Sequence, residues 1–190
     1  MSLRRRINVD SRVSIGRNRP SQHRAAVGNS GGLCHAFVVS GGQLAERLRA
    51  TVPLVAEVVV DLPDIRLRAR PRPGEWSAIE VVGHLIDKFD HWAVRARRAV
   101  SEEFPHLDPY DQDRCVRDSG YQDADLTLLL GRLAASAERF ARFVETLDAT
   151  AMERPADHGE YGRISAHDCV VLPLQSMPEH LAQARAAASG

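Results

Sequence analysis

A chain of 190 residues, 44% of them hydrophobic and 26% charged, is long enough for one ordinary domain and has the balance of a globular protein. Its net charge is zero, but residues 1–40 hold seven arginines against Asp10 alone, so they carry +6 and the other 150 residues carry −6. An acidic body argues against a nucleic-acid surface on the domain, and no stretch approaches the ~18 consecutive apolar residues of a membrane span.

Three cysteines, Cys34, Cys115 and Cys169, are an odd number without CxxC spacing. That argues against a disulfide framework or a cysteine zinc knuckle and for a reducing, cytoplasmic setting. The apolar run near the basic start, Leu33 to Val39, is short and interrupted by His35, so no secretory leader is expected. Residues 1–40 show neither helical nor strand period and are predicted to be a disordered basic tail. A start codon set too far upstream would produce such a segment, and so would a basic arm for nucleic acid. No aromatic residues interleave with the arginines as a base-stacking surface requires, which favours the first explanation.

From Gln43 the pattern turns helical, with Leu44, Leu48, Val55, Val59 and Leu62 on one face and Pro53 expected to kink or restart the helix. Pro63–Gly74 reads as a long connection. Ser77-Ala78-Ile79-Glu80 is a capping box that opens a second helix. Behind it Ile79, Val82, Ile86, Phe89, Ala93 and Ala96 form a bundle seam. Residues 101–122, with Pro105, Pro109 and Gly120, form another connection with room for a short helix. A third helix is expected over 123–147, its seam being Leu126, Leu130, Leu133, Ala137, Phe140, Val144 and Leu147. A loop over Pro155–Gly162 leads to a second capping box, Ser165-Ala166-His167-Asp168. The last helix carries Cys169, Leu172, Ser176, His180 and Ala184 on one face, and Pro173 and Pro178 predict a kink or broken turn in it. The only strand-like piece, Val58-Val59-Val60, is too short to outweigh its flanks. The chain reads as a single all-α domain over 41–190, a four-helix bundle.

Three stretches carry a resemblance: Trp76-Ser77-Ala78-Ile79-Glu80-Val81-Val82-Gly83-His84-Leu85, His158-Gly159-Glu160-Tyr161-Gly162, and Glu179-His180-Leu181-Ala182-Gln183. Their order, spacing and intervening helices resemble the DinB-like family of bacterial four-helix proteins over residues 42–187. The resemblance implies a divalent metal, zinc or nickel, held by three histidines: one from the second helix, matching His84, and a His-x-x-x-His pair from the fourth. It also implies, for some members, transfer reactions of small thiols such as mycothiol or bacillithiol, with the metal keeping the thiol as its nucleophilic thiolate. His180 matches the second histidine of the pair, but Ser176 stands where the first should be, and a serine hydroxyl is a poor zinc ligand. On an ideal helix His84, Asp87 and His91 fall within about 60° of one another, so Asp87 is the best spare third ligand. Periodicity alone puts His84 at an exposed or edge position, opposite the apolar seam; only the resemblance moves it into a cleft. His91 and His167 read as surface residues, Cys169 as a small buried hydrophobe, and Trp76 as packing beside the helix cap.

Three functions are weighed. One is a metal-dependent small-thiol S-transferase with a weakened metal site at His84, His180 and Asp87. The second is a metal-free member of the fold that binds a small ligand or acts structurally as a homodimer. The third is a nucleic-acid-associated protein using the basic tail, which the acidic body speaks against; a small-molecule partner is expected on the first reading.

Overall fold

Three serines begin three of the long helices. In each, the serine oxygen accepts a backbone N–H of the first turn while a side chain three residues on reaches back to the serine N–H. Ser40 with Gln43 opens α1 (Gly41–Val59), Ser77 with Glu80 opens α3 (Ala78–Ser101), and Ser165 with Asp168 opens α7 (Ala166–Gln175). Asp125 caps α5 (Leu126–Glu145) by accepting from the Leu128 N–H. Short helices α2 (Asp64–Leu67), α4 (Gln112–Asp118) and α6 (Ala149–Met152) fill the connections, and α8 (Met177–Ser189) closes the chain. The computed structural model describes residues 40–189; the predicted basic tail lies, apart from Ser40, outside the described residues.

The long helices form a four-helix bundle in which α1 packs on α5, α5 on α3, and α3 on the α7–α8 pair, which in turn closes against α1. Phe89, Phe140, Leu44, Leu48, Leu133 and Val144 are all fully buried in one core. Pro53 does not restart the first helix. Leu48, Thr51, Val55 and Val59 are buried on either side of it, and that packing holds α1 continuous across the hydrogen bond the proline cannot make. In α5 the first inward leucine is Leu129, with Leu126 and Leu130 only partly buried, so the expected seam is one residue out of register at its start. Asp111 caps α4 by accepting from the Arg114 N–H.

Two expectations need correction. The Pro155–Gly162 segment is not a plain loop. It begins β2 (Pro155–His158), turns through Gly159–Tyr161, and returns as β3 (Gly162–Ser165) antiparallel to it, while β1 (His106–Leu107) pairs parallel with β2. Strands of two to four residues offer too few alternations for a period to be read. The Val58–Val60 run, by contrast, lies at the end of α1. The second correction concerns α3, which buries two faces rather than one. Its apolar seam meets α1 and α5, but His84 and Arg95 on another face are also buried, because α7, α8 and β2 pack there.

The final helix breaks at Ser176 as the prolines predict. Pro178 has no N–H to offer the Leu174 carbonyl, and the chain tightens there before continuing as α8. The His180 N–H still reaches the Ser176 carbonyl at 3.3 Å, so the two residues keep their one-turn relation across the break.

Candidate functional site

Along α3, His84, Lys88, His91 and Arg95 follow at spacings of four, three and four. At ~100° per residue they share an arc of about 60°. This polar stripe lies under α7, α8 and β2. Its first two members meet the broken last helix.

His84 is 1% exposed, its ring centre 4.8 Å from that of His180 and 4.6 Å from that of Trp76. Neither of its ring nitrogens has a partner among the described residues. Trp76 therefore touches the site as well as the helix cap. Lys88 reaches between the two parts of the last helix: its Nζ donates to Ser176 Oγ at 2.5 Å and lies 2.8 Å from His180 Nε2. An ammonium can only donate, so His180 Nε2 accepts and the ring proton sits on Nδ1. Ser176 Oγ in turn donates to the Pro173 carbonyl at 3.1 Å.

The charges follow from burial. Loss of water pulls the Lys88 amine down to about 8, an effect softened by Glu179. No carboxylate forms an ion pair with Lys88 among the described residues. Burial, with Lys88 adding to it, brings His180 down to about 4. His84 is held well below its ordinary value, first by burial and then by His180, Lys88 and His91. Both imidazoles are neutral beside a single cation.

Asp87 faces elsewhere. Its Oδ1 accepts the Tyr121 hydroxyl at 2.6 Å, and burial raises its pKa. The Tyr121 ring lies against Gly83, where a Cβ would come within 2.1 Å of it; only glycine admits the tyrosine that holds Asp87. Among the described residues no three His, Cys, Asp or Glu side chains gather closely enough to hold a metal ion, so Asp87 does not join His84 and His180 in such a group. Two neutral imidazoles, one of them bonded to an ammonium that also holds a serine hydroxyl, are not a donor set for a divalent cation. The residues as they stand do not fit a metal.

Lys88 was not singled out from the sequence. Its signal was the basic 4-3-4 spacing on α3, which an apolar-seam count passes over. His91, expected at the surface, is half-buried and stacks on Tyr110 at 4.1 Å. Cys169 is fully buried as expected, its thiol pushed up to about 12 by burial.

The buried histidines make a stability prediction. His180 and His158 are both drawn from 6.5 to about 4, and His84 is lowered too. Between those values the unfolded chain binds more protons than the folded one, so stability rises with pH there and is lost as pH falls from 6.5 towards 4. Asp87, raised by burial, opposes this with a single group. Melting temperature measured across this window should fall steadily on acidification, and less steeply in His158→Gln. A flat profile would contradict the burial of these rings.

The DinB superfamily model matches residues 47–184. A protein of Oceanobacillus iheyensis named "Putative metal-dependent hydrolase" is 30% identical over 129 residues, 68% of this chain and 74% of the relative. A protein of Bacillus mycoides with the same description is 24% identical over 57% of this chain, and the match spans 62% of that relative's length. Among solved structures, YfiT from Bacillus subtilis, described as a probable metal-dependent hydrolase with an unusual four-helix bundle topology, superposes with a TM-score of 0.72 at 20% identity. That superposition covers 86% of this chain and 94% of YfiT, and it concerns the fold alone. No helix among the described residues is long and apolar enough to cross a membrane. With a family match spanning the bundle from α1 into α8 and taking in both His84 and His180, the chain belongs to the DinB superfamily.

Proposed function

We propose that the chain binds a small thiol where α3 meets the α7–α8 break and holds it as the thiolate against the Lys88 ammonium, as a metal-free small-thiol S-transferase. The observation that carries this reading is the position of Lys88, 2.8 Å from His180 Nε2 and 2.5 Å from Ser176 Oγ, with no carboxylate paired to it among the described residues. A half-buried cation without a counter-ion among the described residues favours an anion beside it, and a thiolate is the anion the thiol becomes on losing its proton to water. Two neutral histidines leave that cation uncontested by further positive charge. His84, buried and without a partner on either nitrogen, supplies one N–H donor and one acceptor to the bound molecule.

N-acetylcysteine is a suitable probe, its thiolate followed by ultraviolet difference absorbance against protein alone. Saturating protein should lower the thiol's midpoint by about one pH unit, and Lys88→Met should abolish the shift. An unshifted midpoint in the wild type, or a shift retained in Lys88→Met, would overturn the reading.

His84 also favours a second reading, in which this site works as a metal-dependent hydrolase, the activity that the chain's relatives are named for. An unpartnered imidazole whose ring centre lies 4.8 Å from that of His180 is what a ligand histidine would present. On that reading a metal must displace the Lys88 amine, and zinc affinity would be high in the wild type.

A further inference from the structure

The far end of the α3 stripe holds a second cation without a counter-ion. Arg95 is only 7% exposed, yet no carboxylate lies within ion-pair distance of it among the described residues. Its guanidinium lies over the Trp92 ring, 4.7 Å from the centroid, and 5.5 Å from that of Tyr110. A single bond, from Nη2 to the Asp108 carbonyl at 2.6 Å, ties it to the protein. The other N–H groups of its guanidinium bond to none of the described residues. Burial works against its charge, and the arrangement persists because aromatic faces and a carbonyl share that charge.

The same tryptophan carries an unpaired donor of known identity. His158, at the end of β2, is 1% exposed and stacks on the same Trp92, the ring centres 5.5 Å apart and the planes 7° from parallel. The hairpin turn fixes its tautomer. Its Nδ1 accepts the backbone N–H groups of Glu160 and Tyr161, at 3.1 and 3.4 Å, and so cannot itself carry a proton. The proton must be on Nε2, which is buried and has no acceptor among the described residues. Burial and the Arg95 charge keep the ring neutral, at about 4. Tyr161, 56% exposed, packs its ring 4.9 Å from His158 and forms the outer rim.

We propose that Arg95 and His158 form a carboxylate-binding subsite, the guanidinium taking a ligand carboxylate through its free N–H fork and the His158 Nε2–H completing the set, with Trp92 and Tyr161 flanking the carbon skeleton. An orphan cation and an orphan N–H beside one aromatic ring are what a planar anion with an apolar body satisfies. A fork with one neutral imidazole suits a carboxylate better than a phosphate, whose greater charge and oxygen count call for more donors. The subsite lies about 10 Å along α3 from Lys88, at ~1.5 Å per residue, and does not depend on whether an ammonium or a metal operates at that end.

The test uses the full chain, with benzoate as the probe and inorganic phosphate as the competing anion. The His158 Nε2–H resonance and tryptophan fluorescence are followed by titration. Benzoate should bind saturably and move the His158 resonance. Arg95→Met, which keeps the stem over Trp92, should weaken binding more than tenfold. His158→Phe, which keeps a ring on Trp92, should weaken it several-fold, and Lys88→Met should leave it unchanged. Should Arg95→Met fail to fold, Arg95→Lys answers the same question, since it keeps the charge and loses the fork and is expected to lose most of the affinity. The proposal is overturned if benzoate leaves the His158 resonance unmoved in the wild type, if the arginine variants bind as well as the wild type, or if phosphate displaces benzoate at lower concentration. Loss of benzoate binding in Lys88→Met alone would move the anion site to the other end of the stripe and overturn it as well.

Discussion

Phe140→Ala should cost the fold ~3–5 kcal/mol, the range for removing a buried aromatic side chain and leaving its cavity. Phe140 on α5 and Phe89 on α3 are both fully buried in the core where these helices meet, and both are among its largest side chains. The bundle can collapse little around either loss, because α3 is fixed on its other face by α7, α8 and β2. Chemical denaturation of each variant gives the cost directly. A value below about 1 kcal/mol at either position would show that the residue is not in the shared core.

Those two positions were legible because the seams around them keep a three-and-four period, even though the α5 seam starts one residue out of register. Ser77 and Ser165 announced their helices by a side chain three residues on, and the prolines announced the break near Ser176. What escaped was anything whose burial depends on a third layer. The stripe from His84 to Arg95 is polar, so a hydrophobic count assigns it to solvent; it is buried at His84 and Arg95 and half-buried between them because α7, α8 and the hairpin return to cover it. The hairpin itself was hidden by length, since four-residue strands carry too few side chains to show alternation. Lys88 escaped for a simpler reason. A lysine on a helix is ordinarily a solvated residue, and nothing local distinguishes this one from Lys or Arg elsewhere on the surface. His158 belonged to a recognised stretch, but its fixed tautomer rests on the backbone of a three-residue turn.

Restoring the missing histidine should reveal what Lys88 does. Ser176 and His180 keep the i, i+4 relation across the break, and both side chains reach the same amine. A histidine at 176 therefore points its ring into the space that Lys88 fills. Ser176→His alone should gain little zinc or nickel affinity, less than about threefold, because the ammonium repels the cation from the new site. Lys88→Met with Ser176→His removes that charge, keeps a flexible apolar stem, and completes three histidines with His84 and His180. It should gain more than about a hundredfold, or roughly 2.7 kcal/mol, at every pH where the imidazoles are neutral. Competition with a coloured chelator measures both. Equal gains in the single and double variants would mean that Lys88 does not guard the position, and no gain in the double variant would mean that the two helices do not converge on one centre.

The most direct measurement is zinc binding by the wild-type chain, prepared without a histidine tag and titrated against a competing chelator at neutral pH. A lysine ammonium between His180 and Ser176 predicts affinity no better than the micromolar range, as expected for two imidazoles beside a positive charge. Nanomolar or tighter binding, with zinc approaching one equivalent per chain, would mean that the Lys88 amine gives way to a metal, and would contradict the metal-free account.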